Sequence, residues 1–161
     1  MSAVLESVRT PIEIVPFSDR YAEDVIAIAR QMQAESVLHS RMSVDTAKLL
    51  SRLAAIAQSE YGYFKLALLN GLAVGAFIGL IDDVYWGNDL VARDLGWFVI
   101  KTARSSGAAG ALLADFESWA RGRGARFVML GQTTGADIAR LTAIYQRFGY
   151  GAVGVNAVKE I

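Results

Sequence analysis

Residues Leu95–Arg123, LGWFVIKTARSSGAAGALLADFESWARGR, decide the fold of this 161-residue chain. An apolar strand runs into a turn of small residues, and the turn opens an amphipathic helix. Arg104-Ser105-Ser106-Gly107-Ala108-Ala109-Gly110 begins five positions after Val99. A turn of this kind aims backbone N–H groups and the positive end of a helix dipole at one point, which favours an anion such as phosphate. Ser105, Ser106, Gly107, Ala108 and Ala109 carry little bulk, so a ligand can approach the backbone, and Gly107 tolerates φ > 0. Arg104 is a permanent cation beside that point and can grip phosphate with a fork of two donors. The plainer alternative is a close-packed helix start with no ligand.

Two familiar phosphate loops do not fit. The chain has no Gly-Lys pair, so it has no Walker A loop. Gly107-Ala108-Ala109-Gly110 has the wrong spacing for a dinucleotide fingerprint, and Gly122-Arg123-Gly124 falls at a helix end, where it reads as a C-cap.

The length suits one domain spanning 1–161, burying roughly 70% of its unfolded surface. The composition is 53% hydrophobic, enough for a full core. Sixteen basic residues balance sixteen acidic ones, which argues against nucleic acid as the main ligand. The chain has no cysteine and one histidine. That removes disulfides and thiolate nucleophiles, and it disfavours a metal site or a Ser-His-Asp triad. Residues 1–10 lack a signal-peptide pattern and read as a loose arm. The longest apolar stretch, Leu66–Ile81, is broken by Asn70-Gly71 and is too short to span a membrane. A soluble, cytoplasmic protein is expected.

Outward from the central stretch, Ile12–Val15 reads as a strand closed by Pro16. Ser18 or Asp19 caps a helix over Arg20–Gln33, and Ser43 caps another to Gln58. Tyr63–Leu69 and Leu72–Asp82 form a hairpin about Asn70-Gly71. Val91–Ile100 is the strand before the turn, and Ala109–Gly122 is the helix after it. Phe127–Gly131 is a strand, Asp137–Arg147 a helix and Gly151–Val158 a final strand. The resulting order, β-α-α-β-β-β-α-β-α-β, predicts an α/β (α+β) fold with a mixed central sheet.

Arg104-x-x-Gly107-x-Ala109 after Val99 resembles the pyrophosphate loop of the GNAT N-acetyltransferase superfamily, and the order of elements is similar to that of the same fold. Ile144-Tyr145-Gln146-Arg147-Phe148-Gly149-Tyr150 resembles the family's Leu-Tyr-x-x-x-Gly-Phe segment. Gln31–Met42, QMQAESVLHSRM, is faintly similar to a segment of small phage-encoded members. The resemblance implies acetyl-CoA as cofactor, with pyrophosphate on the N–H groups of Ser106 to Gly110 and Arg104 alongside. It implies a pantetheine arm beside Phe98, Val99 and Lys101, which requires the strands of Val99 and Leu130 to splay. It also implies Tyr145 as the acid that protonates the departing sulfur and a backbone N–H near Val99 as oxyanion donor; the alternative for Tyr145 is an aromatic anchor of its helix.

Acyl transfer to an amine needs a neutral nucleophile, and a lysine-like amine is uncharged in only about one molecule in 2,500 at pH 7. The family's glutamate slot, six positions before Val99, holds Arg93, and the neighbouring Asp94 is expected on the opposite face of a regular strand. Asp82, Asp83 and Asp89 lie in the loop before it, and His39 falls in the region that shapes the family's acceptor pocket. The family's asparagine seven residues before the tyrosine is Ile138 here, while Thr134 and Asp137 suit a helix cap. Tyr85-Trp86-Gly87-Asn88 is either a lid, a partner surface or a loop folded onto the core. The acceptor is expected to be the amine of a small molecule or a protein. The alternative is a GNAT-fold CoA-binding protein that acts by binding a partner protein. Ala152–Val158 is compatible with a homodimer paired through C-terminal strands.

Overall fold

The computed structural model describes residues 10–131, 135 and 137–160. Residues 1–9 of the expected arm, and Thr134, lie outside them. Five strands lie in the sheet in chain order: β1 (Ile12–Pro16), β2 (Gly62–Leu69), β3 (Leu72–Asp83), β4 (Leu90–Val99) and β5 (Phe127–Met129). β1 to β4 are an antiparallel meander, and β5 joins β4 in parallel after a helical crossover. The mixed sheet predicted from the sequence is therefore present.

The hairpin β2–β3 turns on Asn70 (φ 53°) and Gly71 (φ 78°), the two left-handed residues of a turn whose twist matches that of the strands. β2 reads almost continuously apolar because both sheet faces are covered. Tyr63 and Ala67 join Phe77 and Ala92 in the core beneath α3 (Ala108–Gly122), with Leu112, Leu113 and Phe116. Phe64, Leu66 and Leu68 face the other way, against Val25 and Ile28 of α1 (Ala22–Glu35) and Leu53 of α2 (Thr46–Gln58).

Helix ends depart from the sequence reading in instructive ways. A short 3-10 turn, Asp19–Tyr21, precedes α1, and neither Ser18 nor Tyr21 caps it with a side chain. α2 is capped by Asp45, whose Oδ1 accepts from Lys48 N at 2.9 Å, not by Ser43. At the end of α3, Gly124 (φ 81°) is the left-handed residue, with Ala125 N bonded to Ala120 O at 3.0 Å.

The last expected strand is not there. Gly151–Val158 forms no ladder, and Val153 and Val155 are 89% and 97% exposed. β5 pairs over three residues only, so its short edge gives the tail's alternating apolar residues no ladder to join. The segment ends instead on an ion pair between Glu160 and Arg41. The observed order is β-α-α-β-β-β-α-β-α, closing with α4 (Ile138–Arg147).

Candidate functional site

The site lies along β4, where the sheet opens. The parallel ladder joins Val91 to Phe127, Ala92 to Val128 and Arg93 to Met129, and stops. From Asp94 to Val99 the β5-facing edge of β4 has no strand partner among the described residues. On its other edge β4 stays paired to β3, with Ile78 opposite Gly96 and Gly79 opposite Asp94. Leu95 is thus an extra residue, a bulge placed at the point of opening. Gly79 permits it: a Cβ there would lie 2.5 Å from Cε2 of Phe116 and 2.8 Å from the Arg93 carbonyl.

The bulge brings together residues that the sequence alone left apart. Asp94 Oδ1 accepts the N–H of Gly131 at 2.7 Å across the gap. The Tyr145 hydroxyl lies 3.4 Å from the Gly131 carbonyl, and its ring stacks on Trp97 at 6.3 Å and 17°. Burial pushes the Asp94 carboxyl above its ordinary range, against the lowering effect of the Gly131 N–H. Burial also raises Tyr145, and the Asp94 charge adds to it, so the phenol stays protonated. The Trp97 indole N–H is buried with no hydrogen-bond partner among the described residues. Tyr150 donates to Glu117 Oε1 at 2.6 Å, tying the end of α4 to α3. That end is fixed by Gly149 (φ 87°), with Tyr150 N bonded to Tyr145 O at 3.0 Å.

At the far end of β4, Ile100 leads into a 3-10 turn, Lys101–Ala103, and then into Arg104–Gly107 before α3. Gly107 has φ 91°, and no atom lies within 4 Å of where its Cβ would be. The expectation that all N–H groups from Ser106 to Gly110 stay free needs correction. Ser106 N bonds Ala103 O at 3.0 Å, and Ala108 N bonds Ser106 Oγ at 3.2 Å. Among the described residues, the N–H groups of Ser105, Gly107, Ala109 and Gly110 have no protein acceptor. Four donors at an exposed turn, backed by α3, fit an anionic group.

Arg104 does not lean over that turn. Its Nε donates to the Val99 carbonyl at 3.1 Å, and its Nη2 is ion-paired with Glu35 at the end of α1. Phe98 lies under its guanidinium at 5.4 Å, on the face covered by α1 and α2, and Lys101 is exposed. His39 sits in the α1–α2 connection, where the buried Ser36 Oγ accepts its N–H at 3.0 Å and lies 3.1 Å from its Nδ1. Arg93 is exposed. The Tyr85–Trp86 pair is 94% and 72% exposed and does not fold onto the core.

Sequence reasoning therefore named Tyr145, Val99 and the turn, set Asp94 aside as facing the other way, and missed Trp97 and Glu35. The two glycines flanking the opening, Gly79 and Gly96, were the available signal of a bulge. No group of three or more His, Asp or Glu among the described residues is placed to hold a metal ion. None of their helices is long and apolar enough to cross a membrane.

Residues 23–150 match the model of the acetyltransferase (GNAT) family. The chain belongs to that family. No curated protein sequence matches it. Among solved structures, the fold is similar to that of the aminoglycoside acetyltransferase AAC(6')-Iy with a CoA-S-monomethyl-acetylneamine bisubstrate analogue, at 19% identity and TM-score 0.73, covering 94% of this chain and 98% of that one. A transcriptional regulator from Bacillus halodurans C-125 gives 18% identity and TM-score 0.73 over 94% and 100%. The aminoglycoside acetyltransferase meta-AAC0020 from an uncultured soil sample, in complex with sisomicin, gives 16% and 0.69 over 93% and 96%.

Proposed function

We propose that this protein is an N-acyltransferase that moves an acetyl group from acetyl-CoA to an amine by direct attack. One observation carries the reading: the Tyr145 phenol and the Asp94 carboxylate meet around Gly131 at the point where β4 and β5 part. The free edge of β4, with Phe98, Val99 and Lys101, suits the pantetheine arm. The amides of Ser105, Gly107, Ala109 and Gly110 suit the diphosphate, with Ser106 and Ala108 shaping the turn and Arg104 supplying charge.

Bound acetyl-CoA supplies the activated acyl carbon and a thiolate leaving group. The chain's own residues manage the protons. Tyr145, kept protonated by burial, serves in this reading as donor to the departing sulfur. Asp94, whose proton affinity burial has raised, serves in this reading to accept the proton that an ammonium must lose before it can attack. The backbone N–H near Val99 remains the proposed oxyanion donor.

The acceptor is proposed to be a small-molecule or protein amine. Two structural neighbours carry aminoglycoside ligands, so amino sugars head the screen. Calorimetric titration of acetyl-CoA into the wild type and Arg104→Glu, followed by amine-dependent CoA release, tests the reading. Micromolar binding lost in the variant, and release lost in Tyr145→Phe, are expected. No binding to either protein overturns it.

A second reading, a CoA-binding protein that acts through a partner, is favoured by the Tyr85–Trp86 pair, which stands free of the core at the β3–β4 turn. Binding without amine-dependent release would select it. The unladdered apolar tail keeps a homodimer paired through this segment as part of the proposal.

A further inference from the structure

Arg104 heads the anion turn, yet its guanidinium is committed elsewhere. Nε is held by the Val99 carbonyl, and Nη2 by Glu35. These two nitrogens form one of the guanidinium's donor forks, and the other fork also contains Nη2. Nη2 has a second hydrogen, but the two bonds hold the guanidinium toward Val99 and α1, so swinging it over a phosphate on the turn breaks the pair with Glu35. The two side chains are 40% and 38% exposed, and an ion pair this open to water is weak enough to exchange.

Glu35 cannot simply follow Arg104. It is the last residue of α1, and the next residue, Ser36, is buried and bonded to His39. Gln33 pins the same connection by donating to the carbonyls of His39 at 3.2 Å and Met42 at 2.6 Å. Release of Arg104 therefore leaves a carboxylate fixed at the head of the α1–α2 connection, beside the end of β4. That carboxylate, still partly open to water, is then available to another cation.

We propose that Glu35 is a shared counter-ion: it holds Arg104 until a diphosphate claims the arginine, and it then positions the ammonium of a cationic acceptor. The assignment rests on the reading of the turn as the CoA site. It makes the cofactor and a polycationic amine bind cooperatively, each strengthening the other by the same factor. Monoamines, whose only nitrogen must enter the opening at Asp94, gain nothing from Glu35.

Calorimetric titration of CoA into the wild type, Glu35→Gln, Arg104→Gln and the double variant tests the first half. Glu35→Gln is expected to bind CoA about two- to fivefold tighter, the worth of an exposed pair. The gain should vanish when residue 104 is glutamine. Equal affinity of wild type and Glu35→Gln, or a gain that persists without Arg104, overturns the exchange and leaves only general repulsion. Spermidine, titrated with and without saturating CoA, tests the second half. CoA is expected to tighten its binding about fivefold or more in the wild type and not in Glu35→Gln. Equal tightening in both reports association with the cofactor itself and overturns the acceptor role. Failure of all four proteins to bind CoA overturns the reading of the turn, an outcome distinct from unequal or equal binding among them.

Discussion

The Asp94 carboxylate receives the Gly131 N–H at 2.7 Å just past the last rung between β4 and β5. One side chain thus closes the ladder and stands at the mouth of the cleft, so its charge state bears on both stability and chemistry.

Because burial raises its pKa, Asp94 is easier to keep protonated in the folded chain than in the unfolded one. The stability this confers is complete below the unfolded value, about 3.9, and is lost as pH rises through the folded value. Asp94→Asn retains an oxygen for Gly131 and carries no charge. Its melting temperature relative to wild type is expected to be higher at pH 7, and the advantage should shrink toward pH 4. Thermal unfolding at both values checks this, and a pH-independent difference would refute it. Amine-dependent turnover of the same variant should fall at pH 7.

Tyr145→Phe keeps the ring that stacks on Trp97 and removes only the hydroxyl. Stability should change by about 1 kcal/mol or less, since the hydroxyl makes one long contact at 3.4 Å. Turnover should drop about 100-fold or more, the usual worth of a positioned acid. Calorimetric CoA affinity separates this from a binding defect, because it should stay near the wild-type value.

Gly107→Ala tests the turn. Space is not limiting there, but φ 91° is, and an alanine forced into it costs about 1 kcal/mol. The expected result is a small loss of melting temperature with a larger loss of CoA affinity, as the free amides on either side of it shift. Affinity that falls no more than stability would mean the turn holds no ligand.

Gly79→Ala tests the bulge. Its Cβ would meet Phe116 at 2.5 Å and the Arg93 carbonyl at 2.8 Å, so α3 must lift or β4 must move. Overpacking of this kind costs about 1–3 kcal/mol. Denaturant unfolding should show the loss, and CoA binding should weaken with it.

What the sequence disclosed follows from the range of each interaction. The Asn70-Gly71 hairpin, the two helices before it and the turn after Val99 are local patterns, and they appear near where expected. Tyr145 was singled out by the resemblance of Ile144–Tyr150 to the family's segment, a local pattern whose Gly149 closes the helix at φ 87°. Asp94 was not, because a regular strand sets it on the face opposite Trp97 and Val99; the extra Leu95 brings it onto their face, and the end of the β5 ladder leaves it the Gly131 N–H. The pairing of Arg104 with Glu35 spans 69 positions and has no local trace. The tail misled for a related reason: alternation marks a segment able to be a strand, while a strand also needs an edge, and three paired residues of β5 offer little.

The hairpins β2–β3 and β3–β4 join neighbours in sequence, whereas the rungs between β4 and β5 close a loop of chain that contains the whole of α3. Contacts that close long stretches of chain form late and, when few, break early. Three parallel rungs are few. Amide exchange should therefore run fastest at Phe127–Met129 and slowest in β2 and β3. The seam that opens first would be the one at which the proposed reaction takes place.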